Sequence, residues 1–302
     1  SPMVHVAWND LYAHPLPEGH RFPMEKYTLI PEQLLHEGTV SQDHFFSPTP
    51  LTTEQVLSVH DKDYWRKLCT QTLDRQEERR TGFPQSEQLV SREVMIMGGT
   101  LQCARFALEH GAALNVAGGT HHAFTNRGEG FCLLNDQALA AQILLNEGAV
   151  QRVLIVDLDV HQGNGTAQIF NGNPDVFTFS MHGAGNYPMH KEQSDLDVPL
   201  PDGITDAPYL ALLDQYLPTL FDQVQPDLVF YQCGVDILET DKLGRLGVST
   251  AACRERDKRV LERCHRNDIP VVCSMGGGYS PEIKHIVEAH CNTFRLVQHY
   301  WG

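Results

Sequence analysis

Residues 153–165 read Val153-Leu154-Ile155-Val156-Asp157-Leu158-Asp159-Val160-His161-Gln162-Gly163-Asn164-Gly165. Four aliphatic residues, three of them β-branched, run into an alternation of acid and aliphatic and then into glycines. An apolar run with no polar alternation is what a strand buried on both faces requires. Runs of the same kind stand at 4–8, 113–117, 176–181, 228–232 and 271–275, and this one extends over 153–158. Helical periodicity fills the intervals at 90–109, 136–147, 207–223 and 250–267, while 83–89 is compatible with either an ordered or a flexible loop. Strand–helix alternation of this sort predicts a single-domain, three-layer α/β/α protein with a mostly parallel sheet.

The residues after each strand carry the chemistry. The strand at 113–117 leads into Gly118-Gly119-Thr120-His121-His122, and that at 153–158 into Asp159-Val160-His161. The next ends at His182-Gly183, the one at 228–232 leads to Gly234-Val235-Asp236, and the last to Gly276-Gly277-Gly278-Tyr279. Ligands of open α/β sheets bind outside the carboxyl ends of the strands, so these clusters are expected to converge on one crevice. Residues two apart in extended chain share a face, which sends Asp157, Asp159 and His161 the same way. Asp159, His161 and Asp236 then offer three protein ligands and leave a coordination position for water, as a catalytic ion needs. The nitrogen and oxygen donors suit zinc; iron(II), cobalt(II) and manganese(II) bind such sets as well. The pair His121-His122 stands where a general base belongs. Asp157, not needed as a ligand once Asp159 serves, could fix the tautomer of one of these imidazoles. Tyr279 could turn its phenol toward a developing oxyanion. His60, His182 and His190 read as structural or rim residues.

Bulk properties set the frame. Of 302 residues, 41% are hydrophobic and 20% charged, an ordinary globular balance. The net charge of −15 argues against a general nucleic-acid surface and against anionic membranes. The 8 cysteines include no C-x-x-C pair and several lie in apolar runs, a pattern of buried free thiols in a reducing compartment. No apolar stretch reaches the roughly 20 residues that span a bilayer, and no secretory leader pattern is visible. A cytoplasmic enzyme with no direct nucleic-acid or membrane partner is the expectation.

These motifs resemble those of the histone deacetylase superfamily, within the arginase–deacetylase fold. The resemblance runs from Tyr12-Ala13-His14-Pro15, through Val59-His60-Asp61-Lys62-Asp63-Tyr64, Gly119-Thr120-His121-His122, Gly130-Phe131-Cys132-Leu133-Leu134-Asn135-Asp136 and the 157–166 string, to Gly234-Val235-Asp236 and Gly276–Tyr279. His161-Gln162-Gly163-Asn164-Gly165 is most similar to the class IV deacetylases and their bacterial relatives. The resemblance implies one deacetylase-like catalytic domain over 1–302, with zinc on Asp159, His161 and Asp236. It implies His122 as general base and acid, His121 as its electrostatic partner bonded to Asp157, and Tyr279 as the group polarising the scissile carbonyl. Phe131 and Tyr187 would line the acyl-lysine channel, the Gly130 carbonyl would accept the amide N–H, and Arg21 would stand at an internal acetate cavity. A structural potassium ion would take Asp157, Asp159, the His161 backbone, Ser180 and the Met181 backbone. The implied substrate is an acyl-lysine protein or peptide, with an acetylpolyamine as the alternative and a silent acyl-lysine reader as a further one.

Asn164 departs from the class I pattern, which places an aspartate there. A neutral amide orients His122 without stabilising its imidazolium as a carboxylate would, which predicts a lower His122 pKa than in class I enzymes. Cys132, beside Phe131, reads as a packing or redox-sensitive thiol, not a nucleophile. A binuclear arginase-like centre needs more aspartates than the Asp236-Ile237-Leu238-Glu239-Thr240 continuation offers.

Overall fold

The computed structural model describes residues 4–302. The chain alternates between sheet and helix from the start: β1 (His5–Ala7), α1 (Lys26–His36), β2 (Phe45–Phe46), α2 (Thr53–Val56), α3 (Lys62–Thr70), α4 (Arg75–Thr81), α5 (Glu87–His110) and β3 (Ala112–Asn115). It continues through α6 (Asp136–Asn146), β4 (Val153–Asp157), α7 (Asn164–Ile169), β5 (Val176–Gly183), β6 (Leu196–Leu200), α8 (Asp206–Val224), β7 (Leu228–Gln232), α9 (Thr250–Arg266), β8 (Val271–Ser274) and α10 (Ile283–Trp301).

The strands form one eight-stranded sheet in the order β2-β1-β3-β8-β7-β4-β5-β6. Every pairing is parallel. Helices α5 and α6 pack together, with α5 against β1, β3 and β8, while α1, α8, α9 and α10 pack in series as a second group. This is the three-layer α/β/α architecture that the alternation of runs predicts. The inner strands β3, β4, β7 and β8 are buried at every residue, which is why they read as unbroken apolar runs.

The two edge strands escape that reading. β2 has two residues, and β6, Leu196-Asp197-Val198-Pro199-Leu200, carries an acid and a proline that only an edge tolerates. α1, α2, α3, α4, α7 and α10 are likewise absent from the periodicity reading. α10 does bury a stripe of Ile286, His290, Phe294 and Val297, whose spacing is a helical signal. Segment 83–89 is an ordered loop over 83–86 and the first turn of α5 over 87–89: Phe83 is buried, Gln85 bonds the Leu73 backbone in both directions, and Ser86 caps α5 by accepting from the Leu89 amide. Among the described residues no helix is long and apolar enough to cross a membrane.

Candidate metal centre and channel

The carboxyl ends of β3, β4, β7 and β8, adjacent in the sheet, bring the expected clusters to one place. After β3 the chain turns at Gly118 and Gly119, with φ +84 and +77. A Cβ at Gly119 would lie 2.6 Å from the Gly276 nitrogen, so the two glycine turns abut at a distance no other residue permits. Asp136, at the start of α6, holds that turn by accepting from the Gly119 and Thr120 amides at 3.0 Å each. His121 and His122 follow directly and are both buried.

Beyond β4, ligand atoms of Asp159, His161 and Asp236 all lie within 4.8 Å of one another, and all three residues are buried. His161 Nδ1 stands 3.2 Å from Asp159 Oδ1 and 3.1 Å from Asp236 Oδ2. Backbone amides hold the carboxylates: Gly277 donates to Asp159 Oδ2 at 2.8 Å and Val160 to Asp236 Oδ1 at 2.9 Å. Glycine is required around them, since a Cβ at Gly234 would fall on Asp159 Oδ2 and one at Gly277 on Asp236 Oδ2. Burial and the charge of Asp159 push Asp236 up to about 7. Against the burial that disfavours its charge, hydrogen bonds to Asp159 and Asp236 raise His161 to about 10. Two buried carboxylates that recruit a proton in this way are a donor set suited to a divalent cation, which would relieve the same repulsion.

The two histidines next to this cluster differ. His121 Nδ1 lies 2.5 Å from Asp157 Oδ2; burial opposes its charge, but Asp157 and Asp159 hold it up to about 9. His122 is pushed well below its ordinary value by burial and by the charges of His121 and His161. Its Nδ1 is 2.7 Å from Asn164 Oδ1, and Asn164 Nδ2 donates to Glu129 Oε1 at 2.8 Å. An amide that donates through nitrogen presents oxygen on its other side, so His122 Nδ1 carries the proton and Nε2 keeps its lone pair. Tyr279 is held by its backbone N–H, which donates to Asp241 Oδ2 at 2.7 Å. Burial, with Asp236 and Asp159, raises its hydroxyl well above the usual tyrosine range.

Outside this floor, Phe131, Tyr187 and Gly130 line a shared groove with His122, His161 and Tyr279. Tyr187 crosses His122 edge-on with centroids 5.1 Å apart, and its hydroxyl donates to Glu129 Oε1 at 2.6 Å. Phe131 takes φ +67 and rests on Gly82, the αL residue that ends α4. The Gly130 oxygen, expected to receive a substrate amide, is met by the Cys132 thiol at 3.4 Å. Burial pushes that thiol well above its ordinary range, which removes the thiolate a nucleophile needs. Asp157 pairs with Ser180 across β4 and β5; the Ser180 hydroxyl lies 2.8 Å from His182 Nδ1 and Met181 is buried beside them.

One expected residue lies elsewhere. Arg21 does not reach an internal cavity: it is exposed at the outer groove, its guanidinium 5.3 Å from the Phe131 ring centroid. The cation beneath the centre is Lys26, fully buried, whose Nζ donates to the Gly276 oxygen at 3.1 Å. Burial lowers it to about 8. Reading the sequence also missed Glu129, Asp241 and Arg256. The last is a fully buried arginine on α9 that donates to the Leu158 and Gly234 carbonyls, each within two residues of a predicted ligand. None of these has a local signal, since each stands among polar, charged or glycine neighbours like an ordinary surface residue.

The fold and the cluster define an α/β protein with a buried Asp-His-Asp group fit to hold a metal ion, set against a histidine pair and a tyrosine. Residues 20–294 match the histone deacetylase domain. The chain is 45% identical over 293 residues to an uncharacterized protein of Picosynechococcus, covering 97% of this chain and 98% of that one. It is 32% identical over 271 residues to histone deacetylase 2 of Arabidopsis thaliana, covering 86% of this chain and 70% of that one. A crystal structure of a histone deacetylase homologue complexed with SAHA superposes with a TM-score of 0.84 at 24% identity, over 98% of this chain and 84% of that one, a likeness of fold. The chain belongs to the histone deacetylase family, and that membership supports a deacetylase hydrolase.

Proposed function

We propose that this chain, over residues 1–302, is a metal-dependent amidohydrolase that removes acyl groups from lysine side chains. The observation that carries the reading is the meeting of Asp159, His161 and Asp236 within 4.8 Å in front of two histidines of opposite proton affinity. A divalent ion on those three residues, zinc by its donors, with iron, cobalt or manganese as substitutes, supplies Lewis-acid polarisation of the carbonyl and acidifies water. His122 Nε2, with its lone pair free, takes a proton from the attacking water and returns it to the departing amine. His121, kept charged by Asp157, lends a positive field to that exchange. The Tyr279 hydroxyl remains protonated and donates to the oxyanion. Phe131 and Tyr187 flank the acyl-lysine stem, and the Gly130 carbonyl orients the amide. A potassium ion among Asp157, Asp159, His161, Ser180 and Met181 would stiffen the end of β4 against β5. A cytoplasmic setting belongs to the same proposal.

Zinc-loaded protein is expected to hydrolyse acetyl- or longer acyl-lysine peptides, with about one metal ion bound per chain by metal analysis and no turnover after Asp159→Ala. Two ions per chain would favour a binuclear centre, and no turnover on any acyl-lysine peptide or acetylpolyamine would sink the reading. Tyr279→Phe should cost about 2–4 kcal/mol of transition-state stabilisation, a drop of about thirty- to a thousandfold in kcat. Wild-type turnover in that variant would remove Tyr279 from the mechanism.

A further inference from the structure

The groove over the reacting groups carries a charge opposite to that of the molecule. The chain has 38 acidic and 23 basic residues. Yet the groove of about 490 Å³ that opens above His122, His161 and Tyr279 is lined by Arg21, Arg80 and Arg245, and none of its lining side chains is acidic among the described residues. Each arginine has a defined place on the rim. Arg21 lies over the Phe131 ring. The Arg80 carbonyl accepts from the Gly130 amide at 3.0 Å, which ties the end of α4 to the channel wall. The Arg245 carbonyl accepts from Gly203 at 2.7 Å, and its guanidinium reaches Gly185, where a Cβ would lie 3.6 Å from Nη1.

The charges are also unspent. Neither Arg21 nor Arg80 forms an ion pair among the described residues. Arg245 faces Asp202 at 3.8 Å across a pair that is more than half exposed, a contact worth little in water. Glu129, behind the rim, is buried and already engaged by Arg127, Asn164 and Tyr187. Guanidinium groups with free forks around a concave mouth recognise carboxylates or phosphates, and a cleft lined by one sign of charge concentrates ligands of the other.

We propose that this mouth selects N-acyl amides whose departing amine carries an anionic group at the far end of its aliphatic stem, and disfavours acyl-lysine in basic sequence and acylated polyamines. The inference rests on the amidohydrolase reading above and narrows its substrate. The groove runs from His122 and Tyr279 outward to the arginines, so whatever the amine is attached to leaves between them. A carboxylate there can come from Asp or Glu beside the lysine in a peptide, or from the α-carboxylate of a free N-acyl-lysine.

The test is a matched set of acyl-lysine peptides with acidic, neutral or basic flanks, with free Nε-acyl-lysine, its methylamide, and an acetylpolyamine, all on the zinc-loaded protein. The acidic flank is expected to exceed the basic one by at least about tenfold in kcat/KM, mostly through KM, and the gap should narrow in about 0.5 M salt. A free acyl-lysine that outperforms its methylamide assigns the carboxylate to the substrate's own terminus; parity assigns it to flanking residues. Arg21→Glu with Arg80→Glu should reverse the acidic-to-basic ratio, and Arg80→Gln should lower it, with circular dichroism checking the fold of each. Equal rates across the flanks, or a ratio unmoved in folded variants, overturns the inference. If no substrate turns over at all, the amidohydrolase reading falls instead. Equilibrium binding of the same labelled peptides then decides the charge preference: tighter binding of the acidic one upholds it, and indifference ends it.

Discussion

Asn164 shows how one atom of difference in a side chain changes the electrostatics of a neighbour. Its amide passes orientation from Glu129 to His122 without passing charge, and His122 stays far below its ordinary proton affinity. Asn164→Asp should raise His122 and move the acidic limb of the pH–rate profile upward, because activity is lost as pH falls through the base's pKa. The structure adds a complication: a carboxylate at 164 would face Glu129 at hydrogen-bond distance, and two such groups share a proton instead of both ionising. The single variant should therefore shift the limb less than Asn164→Asp with Glu129→Gln, which should move it by about one unit or more. An unmoved limb in the double variant would refute the account. His60 gives a stability counterpart. Its two ring nitrogens serve the Phe124 carbonyl and the Asn135 amide, so only the neutral ring fits, and burial lowers it from 6.5 to about 4. The unfolded chain binds that proton from about 6.5 downward, so the contribution is full above pH 6.5 and lost progressively toward 4, about 3 kcal/mol at most. A His60 ring-carbon NMR shift that titrates near 6.5 in the folded protein would contradict this.

At the scale of elements, α5 carries Gly98-Gly99 in its middle, where each glycine costs about 1 kcal/mol of helix propensity relative to alanine. The tertiary structure explains them. A Cβ at Gly98 would fall on the Thr49 carbonyl, and one at Gly99 would lie 2.5 Å from the Tyr12 hydroxyl. Gly98→Ala should thus lower stability by about 1–3 kcal/mol despite the better helix former, seen as a drop in Tm; a rise would show that the 48–50 segment yields freely. The inner strands were legible because burial on both faces leaves a continuous apolar run. β2, β6 and the peripheral helices were not, since elements half in water owe their place to neighbours and not to their own pattern. α4 is the costly omission, because its last turn holds the backbone of Gly130 and Phe131 at the channel.

Across the whole molecule, the parallel sheet brings side chains from four strand ends to one point, where buried carboxylates and imidazoles crowd together. Removing the metal with a strong chelator should abolish activity and lower Tm, and zinc should restore both. At free zinc 100 to 1,000 times Kd the linkage is worth about 3–4 kcal/mol. A Tm indifferent to zinc would argue that the Asp159, His161 and Asp236 group does not hold it.

Local pattern alone determined the architecture and the identity of Asp159, His161, Asp236, His121, His122 and Tyr279 as residues that meet, because strand burial, strand alternation and the glycine turns after each strand are written within a few neighbours. Tertiary structure alone decided that Lys26, not Arg21, lies beneath the centre, that Glu129 stands behind Asn164, and that an acidic chain has a cationic mouth. Those contacts join residues as far apart as Lys26 and Gly276, and a charge acquires its meaning from what folding sets beside it, which no stretch of sequence records.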